Sequence, residues 1–347
     1  MTRHYDPDVD TVVRGIMNGE RHMLSRAITL IESQRPEHER KAHEILDRCL
    51  AKKTEAIRIG ITGSPGAGKS TFIEALGEEI INQGLRLAVL AIDPSSKQSK
   101  GSILGDKARM EKLAGRKEAF IRPTASSCYL GGTSPKTHET IILCEAAGYD
   151  VIMVETVGVG QSEVLVDSMV DFILLLMLPG SGDELQGIKR GIMEIADAVA
   201  ITKTDGDQAG IAAISRAEFE AALRMLPAKH SFWQPQVFLT SALTGAGIKE
   251  VWQNISMFFA QMRERNTLEE RRHQQLKNLL YTLLEERLKR EFFSNSEVTG
   301  SKEKIEKQVL SGQISPFSGA NVLMEAFMNY PRLPTGEQAI CSGGNPS

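Results

Sequence analysis

Residues 63–70 have the types and the spacing that bind a phosphate group. In the stretch RIGITGSPGAGKST, four residues separate Gly63 from Gly68, and Lys69 and Ser70 follow directly. Glycines let the backbone curl so that N–H groups point at phosphate oxygens, and the N-terminus of a following helix adds partial positive charge. In this motif the lysine reaches the β- and γ-phosphates, and the serine hydroxyl binds Mg²⁺. A plain glycine-rich turn is the alternative, which the full match disfavours. The predicted phosphate-binding residues are Gly63, Ser64, Pro65, Gly66, Ala67, Gly68, Lys69, Ser70 and Thr71.

Three carboxylates follow predicted strands and could complete a magnesium site with Ser70. Mg²⁺ takes six oxygen ligands and usually keeps several waters, so a hydroxyl and phosphate oxygens leave room for carboxylates. Asp93 ends LAVLAID, Asp106 lies in GSILGDKARM, and Glu155 ends VIMVE. The two aspartates could instead be helix N-caps, which is a common role for Asp. Glu155 ends a buried strand, where a carboxylate needs a partner, and this position favours the metal role.

A second group of residues could recognise a guanine base. Thr202-Lys203-Thr204-Asp205 follows a strand in DAVAITKTDGDQ. The Asp205 carboxylate can accept hydrogen bonds from guanine N1–H and the exocyclic amine, a pair of donors that adenine lacks. The aliphatic stem of Lys203 can lie over the ring while its charge stays in water. The stretch VFLTSALTGAG adds a loop suited to backbone contacts with guanine O6, formed by Ser241, Ala242 and Leu243. GTP is therefore favoured over ATP.

Strands that alternate with helices must position these residues. The predicted strands lie near 57–62, 86–92, 118–121, 150–155, 171–177, 197–202 and 236–240. The predicted helices between them lie at about 69–83, 136–147, 188–195, 207–226 and 247–262. This alternation predicts an α/β fold with a mostly parallel central sheet covered on both faces. The apolar run at 172–178 is too short to span a bilayer and is typical of a strand buried on both faces.

Helical segments flank this region on both sides. Residues 8 to 53 are predicted to be helical with a break at Pro36, and the chain is again all-helical after 262. The wide apolar stripe of TLEERRHQQLKNLLYTLLEERLKREFF favours packing on its own domain, with a dimer arm as the alternative. The predicted divisions are 1–54, an N-terminal helical extension; 55–262, the nucleotide-binding domain; 263–330, a C-terminal helical dimerisation region; and 331–347, a disordered tail.

The composition of the 347 residues is ordinary, with 41% hydrophobic residues, 24% charged residues and a formal net charge of −3. Basic and acidic residues are interspersed, so neither a nucleic-acid partner nor a membrane surface is predicted. The N-terminus has no apolar h-region, which predicts a cytoplasmic location. Four cysteines without a CxxC pair are predicted to be reduced structural thiols: Cys49, Cys128, Cys144 and Cys341.

Several motifs together resemble the MeaB/ArgK GTPases, the family of the methylmalonic aciduria type A protein. They are GSPGAGKST, AIDPSS, GSILGDKARM, FIRP, LCEAAGYDVIMVETVGVGQSE, GDELQGIKRGIMEIAD and SALTGAGI, and the resemblance covers roughly residues 8 to 328. The family belongs to a wider GTPase group with Glu in place of Asp in the third motif, as in Glu155-x-x-Gly158. The implied fold is that of a P-loop NTPase with N- and C-terminal helical extensions.

The resemblance implies a Mg²⁺-dependent GTPase that acts as a homodimer. Such proteins bind GTP and GDP and serve as chaperones or gatekeepers for an adenosylcobalamin-dependent acyl-CoA mutase, usually methylmalonyl-CoA mutase. By motif, Ser70, Asp93, Asp106 and Glu155 fall at the metal site. The segment GDELQGIK matches a third mobile loop with Asp183 and Lys189 as its working charges. This chain departs from the family at Thr202, where Asn is usual, and the shorter threonine is expected to loosen base binding.

Val159 predicts slow hydrolysis by the isolated protein. Small GTPases with a DxxGQ motif orient the attacking water with Gln directly after the glycine, and a valine side chain can neither donate nor accept a hydrogen bond. Gly158 is predicted to sense the γ-phosphate through its N–H, and Gln161 and Lys189 are candidates to assist. Two alternatives remain, a metallochaperone GTPase of the nickel-insertion kind and a kinase linked to amino-acid transport. The former commonly carries a His-rich tract or a CxxC pair, which this sequence lacks.

Overall fold

The protein is described by a computed structural model that covers residues 8–33, 35–52, 54–93, 110–125, 135–156, 166–181 and 190–328. Within these ranges seven parallel strands form one sheet, in the order β3-β2-β4-β1-β5-β6-β7. The strands are β1 (Ile57–Gly63), β2 (Leu87–Asp93), β3 (Ala119–Ala125), β4 (Val151–Thr156), β5 (Phe172–Met177), β6 (Ala198–Ile201) and β7 (Gln236–Leu239). All seven predicted strands are thus confirmed. The edge strand β3 runs past the predicted end at 121, because an edge strand tolerates Pro123.

Helices cover the sheet, and the predicted α/β class is confirmed. The helices of the described residues are α1 (Val9–Met17), α2 (Arg21–Glu32), α3 (Pro36–Leu50), α4 (Lys69–Asn82), α5 (Glu111–Ala114), α6 (Pro135–Ala146), α7 (Arg190–Ile195), α8 (Ala209–Met225), α9 (Ile248–Glu264), α10 (Thr267–Ser294), α11 (Ser296–Leu310) and α12 (Pro316–Met328). Within the described ranges, no helix is long and apolar enough to cross a membrane.

Burial on both faces explains why the strands are continuous apolar runs. Successive residues of a strand point to opposite faces. In β2, Leu87 and Val89 join a core formed with α4 and α9, whereas Leu90 and Ile92 join a core formed with α1–α3 and α6. All six residues of β5 are buried. The central strands therefore form a rigid platform whose carboxyl ends can hold a site.

The N-terminal segment has one break more than the sequence predicts. The prediction of continuous helix up to Pro36 is wrong, because α1 ends at Met17 and α2 begins at Arg21. Gly19 lies between them with a φ of 76°, which glycine adopts without steric cost. The break at Pro36 is confirmed, and this proline begins α3 at a position where its missing N–H costs nothing.

The described part of the chain divides into two compact units, and the second comprises residues 277–328. Its described part holds the end of α10 and the helices α11 and α12. The rings of Phe292 and Phe327 lie 5.3 Å apart. Gly319 lets α12 approach α11 closely, because a Cβ at this position would lie 3.0 Å from Val309 Cγ2 and 3.1 Å from Ile305 Cγ2.

Candidate nucleotide site

The loop 63–68 joins β1 to α4 at the carboxyl edge of the sheet, by which we mean the end where the carboxyl ends of the parallel strands lie. Gly63 must be glycine, since a Cβ there would lie 2.1 Å from the Leu176 carbonyl oxygen of the neighbouring strand. Gly68 precedes α4 with a φ of 76°, in the left-handed region. The Ser64 N–H donates to the Leu176 carbonyl at 3.2 Å and thereby fixes the loop to β5. The start of α4 is thus held where its free N–H groups can meet an anion.

The Lys69 side chain folds back over this loop. Its Nζ donates to the carbonyl oxygens of Gly63 at 3.1 Å and Ser64 at 3.2 Å. Burial lowers the pKa of the Lys69 ammonium, and the nearby Glu155 carboxylate opposes that change. A half-buried cation held by neutral carbonyls can exchange them for phosphate oxygens, which form stronger, charge-assisted hydrogen bonds.

Ser70 and Glu155 meet as the motif predicts. The register pairs Glu155 with Ile61 of β1 on one side and with Ala91 of β2 on the other. The Ser70 hydroxyl donates to Glu155 Oε1 at 3.1 Å, and Glu155 is only 6% exposed. A hydroxyl and a carboxylate are oxygen ligands of the kind that Mg²⁺ prefers, so the residues present fit this ion.

Of the other two predicted metal ligands, the structure describes only the backbone of Asp93. Asp93 ends β2 at the same edge of the sheet as Glu155, but its side chain lies outside the described residues. Asp106 also lies outside them. Within the described residues no three His, Cys, Asp or Glu side chains are grouped so that they could hold a metal ion.

Thr202 links the base loop to the phosphate loop. It follows β6 directly and is buried. Its Oγ1 donates to the Ala67 carbonyl at 2.8 Å and lies 3.2 Å from the Met177 carbonyl oxygen. A hydroxyl has one hydrogen, so it satisfies one of these carbonyls well and the other weakly. Thr202 therefore connects the base loop to the phosphate loop by a hydrogen bond. The sequence predicts looser base binding at this position, because the family usually has Asn there.

Lys203 and Asp205 lie on the loop after β6, where Lys203 is exposed and Asp205 is half-buried. Lys203 has a φ of 57°, which is uncommon for a residue with a side chain and is typical of functional loops. Its stem lies close to the phosphate loop, with Cε 3.7 Å from where a Cβ on Gly68 would be. Asp205 precedes the short 3₁₀ helix Gly206–Gln208, yet its carboxylate makes no capping hydrogen bond. Its side chain therefore does not serve the common capping role.

The loop after β7 completes the predicted site. Ser241 is buried, its N–H donates to the Ala246 carbonyl at 2.9 Å, and its carbonyl accepts from the Gly245 N–H at 2.9 Å. Leu243, at the tip of this tight loop, is 82% exposed, and Ala242 precedes it. The Thr204 N–H donates to the Thr240 carbonyl at 3.2 Å and joins this loop to the loop after β6.

The structure thus brings the phosphate loop, Glu155 and the two base loops to one edge of the sheet. Gly158, Gln161, Asp183 and Lys189 lie outside the described residues, and their roles stay predictions. Sequence reasoning missed the carbonyls of Leu176 and Met177, which hold the phosphate and base loops. Backbone groups leave no residue-type signal, although the smooth apolar run of β5 marks the strand that carries them.

The family follows from a comparison with known protein families. Residues 24–297 match the family described as methylmalonyl Co-A mutase-associated GTPase MeaB. The chain belongs to this family. It is a GTPase, and membership of a GTPase family implies that it binds a guanine nucleotide. The resemblance found in the sequence motifs is confirmed.

Individual relatives of this MeaB-family GTPase are similar over most of their length. The GTPase ArgK of Escherichia coli K12 is 45% identical over 313 residues, which cover 90% of this chain and 95% of that protein. The mitochondrial methylmalonic aciduria type A homolog of Mus musculus is 44% identical over 92% of this chain and 79% of its own length. A crystal structure titled LAO/AO transport system kinase has a TM-score of 0.75 and 38% identity, and the match covers 92% of this chain and 97% of that one.

Proposed function

We propose that this GTPase requires Mg²⁺, acts as a homodimer, and serves as a chaperone or gatekeeper for an adenosylcobalamin-dependent acyl-CoA mutase of the methylmalonyl-CoA type. In this role it supports loading of the cobalamin cofactor and protects the mutase. The observation that carries the proposal is the family match itself, because the family is described as methylmalonyl Co-A mutase-associated. The mouse relative, a methylmalonic aciduria type A homolog, supports the same kind of partner.

Ser70 and Glu155 are the residues that would hold Mg²⁺, together with Asp93 and Asp106 by motif. A bound Mg²⁺ would supply positive charge that stabilises the negative charge developing on the phosphate oxygens during phosphoryl transfer. Glu155 accepts a hydrogen bond from Ser70, so the two oxygen ligands are held side by side.

Hydrolysis by the chain's own residues consists of positioning. The Lys69 ammonium and the N–H groups of the phosphate loop hold the terminal phosphates while water attacks the γ-phosphorus and GDP leaves. The Gly158 N–H is proposed to contact the γ-phosphate. Val159 cannot orient the water, so slow turnover is expected until Gln161, Lys189, Asp183 or a bound partner contributes.

Exposed apolar side chains in the second unit support a homodimer. Leu280 and Leu288 of α10, Leu310 at the end of α11, and Phe317 of α12 are between 55% and 87% exposed. Leu280, Leu284 and Leu288 recur at a spacing of four along α10, so they form an exposed apolar stripe on this helix, and such a stripe is typical of an association surface. A dimer mass by light scattering, lost on L280E/L288E substitution, is the expected result, and a wild-type monomer would contradict it.

A nucleotide-controlled pull-down tests the mutase proposal. The purified chain, loaded with GDP or with a non-hydrolysable GTP analogue, is used as bait in extract of its own host. A Lys69→Ala bait, which cannot hold the phosphates, is the matched control. An acyl-CoA mutase captured in a nucleotide-dependent manner by the wild type alone is the expected result. Recovery of no mutase with either nucleotide would count against the chaperone role.

One solved relative is described as a transport system kinase, so a kinase activity needs its own test. With radiolabelled γ-phosphate, a GTPase releases inorganic phosphate, whereas a kinase transfers the label to a protein or a small molecule. The proposal expects the label in free phosphate, with and without host extract. Stoichiometric label in another product would favour the kinase.

A further inference from the structure

A single turn, residues 166–170, follows the segment that carries Gly158 and Gln161. We name it the anchor turn. It closes with hydrogen bonds from the N–H groups of Met169 at 3.0 Å and Val170 at 3.1 Å to the Val166 carbonyl. Residues 157–165 join it directly to the end of β4, which holds Glu155. The anchor turn is therefore the first described part of the chain after β4.

The anchor turn packs against β1, the strand that leads into the phosphate loop. Gly60 of β1 has no side chain, and a Cβ there would lie 2.6 Å from Val166 Cγ1 and 3.0 Å from Val170 Cγ2. Gly60 is paired in register with Val154, next to Glu155, and it lies three residues before Gly63. Both valines are fully buried. Because a close-packed contact transmits displacement, a shift of the turn would be felt in the strands that carry the phosphate loop and Glu155.

Two side chains from α10 hold the carbonyl groups of this turn. Arg271 Nη2 lies 2.8 Å from Asp167 Oδ1 and 3.2 Å from the carbonyl oxygens of both Asp167 and Val170. Gln275 Nε2 donates to the same two carbonyls, at 3.1 Å for Asp167 and 2.7 Å for Val170. Both side chains lie on one face of α10, because residues four apart are neighbours on a helix.

Lys229 also contacts the anchor turn, and we call Arg271, Gln275 and Lys229 together the clamp. Its Nζ lies 2.8 Å from Asp167 Oδ1 and also 2.8 Å from Asp197 Oδ2 at the start of β6. Asp167 is thus paired with a lysine as well as with Arg271. The geometry explains the use of arginine in α10, since a guanidinium can contact a carboxylate and two carbonyls at once, whereas an ammonium is a single point of contact.

We infer that Arg271 and Gln275 are positioning residues for GTP hydrolysis, which act by holding the anchor turn against β1. They do not reach the phosphate or base loops, so their role is to fix the geometry of the reacting groups rather than to bind the nucleotide. The inference rests on the proposed role of Glu155, Gly158 and Gln161 in hydrolysis. Its consequence is that the first part of α10, residues 267–276, is linked through the anchor turn to the strand that leads into the phosphate loop.

Replacing Arg271 with methionine separates positioning from binding. Asp167 keeps Lys229, and both carbonyls keep Gln275, so the variant leaves no buried charge unpaired. In single-turnover assays we expect hydrolysis to slow about tenfold or more, because small displacements of reacting groups carry large costs in rate. The affinities for GDP and a GTP analogue should stay within about twofold of the wild type. Arg271→Lys, which keeps the ion pair and loses the carbonyl contacts, should give an intermediate rate.

Arg263→Met is the matched control. Arg263 lies on α9 and likewise donates to a backbone carbonyl, that of Glu55 at 2.8 Å, but it does not touch the anchor turn. Its hydrolysis rate should match the wild type. An R271M rate within about twofold of the wild type would overturn the inference, and so would equal losses of rate and affinity in R271M and R263M. If R271M does not fold, R271K is used in its place. Its hydrolysis rate should be about threefold below that of the wild type, and a rate within about twofold would overturn the inference.

A third variant distinguishes this inference from the proposed function. Gly158→Ala should slow hydrolysis if the segment after β4 contacts the γ-phosphate. If G158A slows hydrolysis and R271M does not, the clamp is purely structural and only the present inference fails. If neither G158A nor R271M changes the rate of hydrolysis, the proposed role of the segment in hydrolysis fails, and the clamp inference fails with it.

Discussion

The partners of the charged side chains differ between the two ends of the sheet, the amino edge, where the strands begin, and the carboxyl edge, where they end. At the amino edge, buried carboxylates meet cations: Arg58 Nε lies 2.7 Å from Glu145 Oε1, and Arg272 Nη2 lies 2.6 Å from Asp171 Oδ2. At the carboxyl edge, Lys69 is held by neutral carbonyls. Glu155 there accepts a hydrogen bond from a neutral hydroxyl.

This difference separates the part of the molecule that holds the fold from the part that binds the ligand. A buried ion pair is costly to break, because either partner left alone is an uncompensated charge. A hydrogen bond to a neutral group can be exchanged at little cost for one to a phosphate oxygen or a metal ion. We therefore expect substitutions at the amino edge to change stability and substitutions at the carboxyl edge to change nucleotide binding.

The largest expected effect is on stability, at the amino edge. Arg58 donates to both oxygens of Glu145, and both side chains are buried. Arg58→Met leaves the carboxylate buried without its bidentate partner, and the free energy of unfolding should fall by about 3–5 kcal/mol. Urea unfolding followed by circular dichroism measures this loss.

The double variant R58M/E145L is the control for this prediction. It replaces the pair with apolar side chains and should recover most of the lost stability. Guanine-nucleotide affinity of the folded R58M protein should stay within about twofold of the wild type. A tenfold weaker affinity at unchanged stability would show that the two edges are not separated as we describe.

The next effect is a pH dependence, also near the amino edge. His138 on α6 is buried, and its two ring nitrogens have no hydrogen-bond partner within the described residues. Burial, together with repulsion from Arg58, lowers its pKa to about 4. The unfolded chain takes up the proton near pH 6.5, so this contribution to stability is complete above pH 6.5 and is lost as the pH falls toward 4.

The free energy of unfolding should therefore fall by about 2 kcal/mol between pH 7.5 and pH 5 from this group alone. His138→Gln does not titrate and should lose that part of the dependence, whereas His22→Gln, at an exposed histidine, should keep it. Identical pH profiles for the wild type and H138Q would show that His138 is not held neutral by the fold.

The smallest effect is expected at the carboxyl edge, for the hydrogen bond that joins the base loop to the phosphate loop. Thr202→Val keeps the side-chain shape and removes the hydrogen bond to the Ala67 carbonyl, at a cost of about 1 kcal/mol. GDP affinity should fall about fivefold, which isothermal titration calorimetry measures. Thr240→Val removes a similar buried hydrogen bond, to Ile201 at 3.0 Å, without touching the phosphate loop. Equal losses of GDP affinity in T202V and T240V would contradict a specific tie.

The carboxyl edge could be predicted from the sequence in large part. Its residues are contiguous in motifs such as GSPGAGKST, and each motif follows an apolar strand whose length and composition are clear. Parallel strands bring their carboxyl ends to one edge, so Ser70 and Glu155 could be expected to meet although 85 positions separate them.

The amino edge and the clamp could not be predicted in the same way. Arg58 and Glu145 are 87 positions apart, and Arg271 and Asp167 are 104 apart. Charged residues are common throughout the chain, and no local pattern says which of them are buried or paired. The break at Gly19 was missed for a related reason, because the apolar positions on both sides fit one helical period while the backbone turns between them.

The most direct test of the account concerns base recognition by Asp205. Asn in its place presents an amide that can donate to the C2 carbonyl of xanthine and no longer accepts two hydrogen bonds from guanine. Asp207→Asn, in the adjacent 3₁₀ helix, is the matched control. Measured Kd values should show that D205N binds XDP at least about tenfold more tightly than GDP, whereas D207N and the wild type prefer GDP. A D205N protein that still prefers GDP would contradict the assignment of this edge as the guanine site.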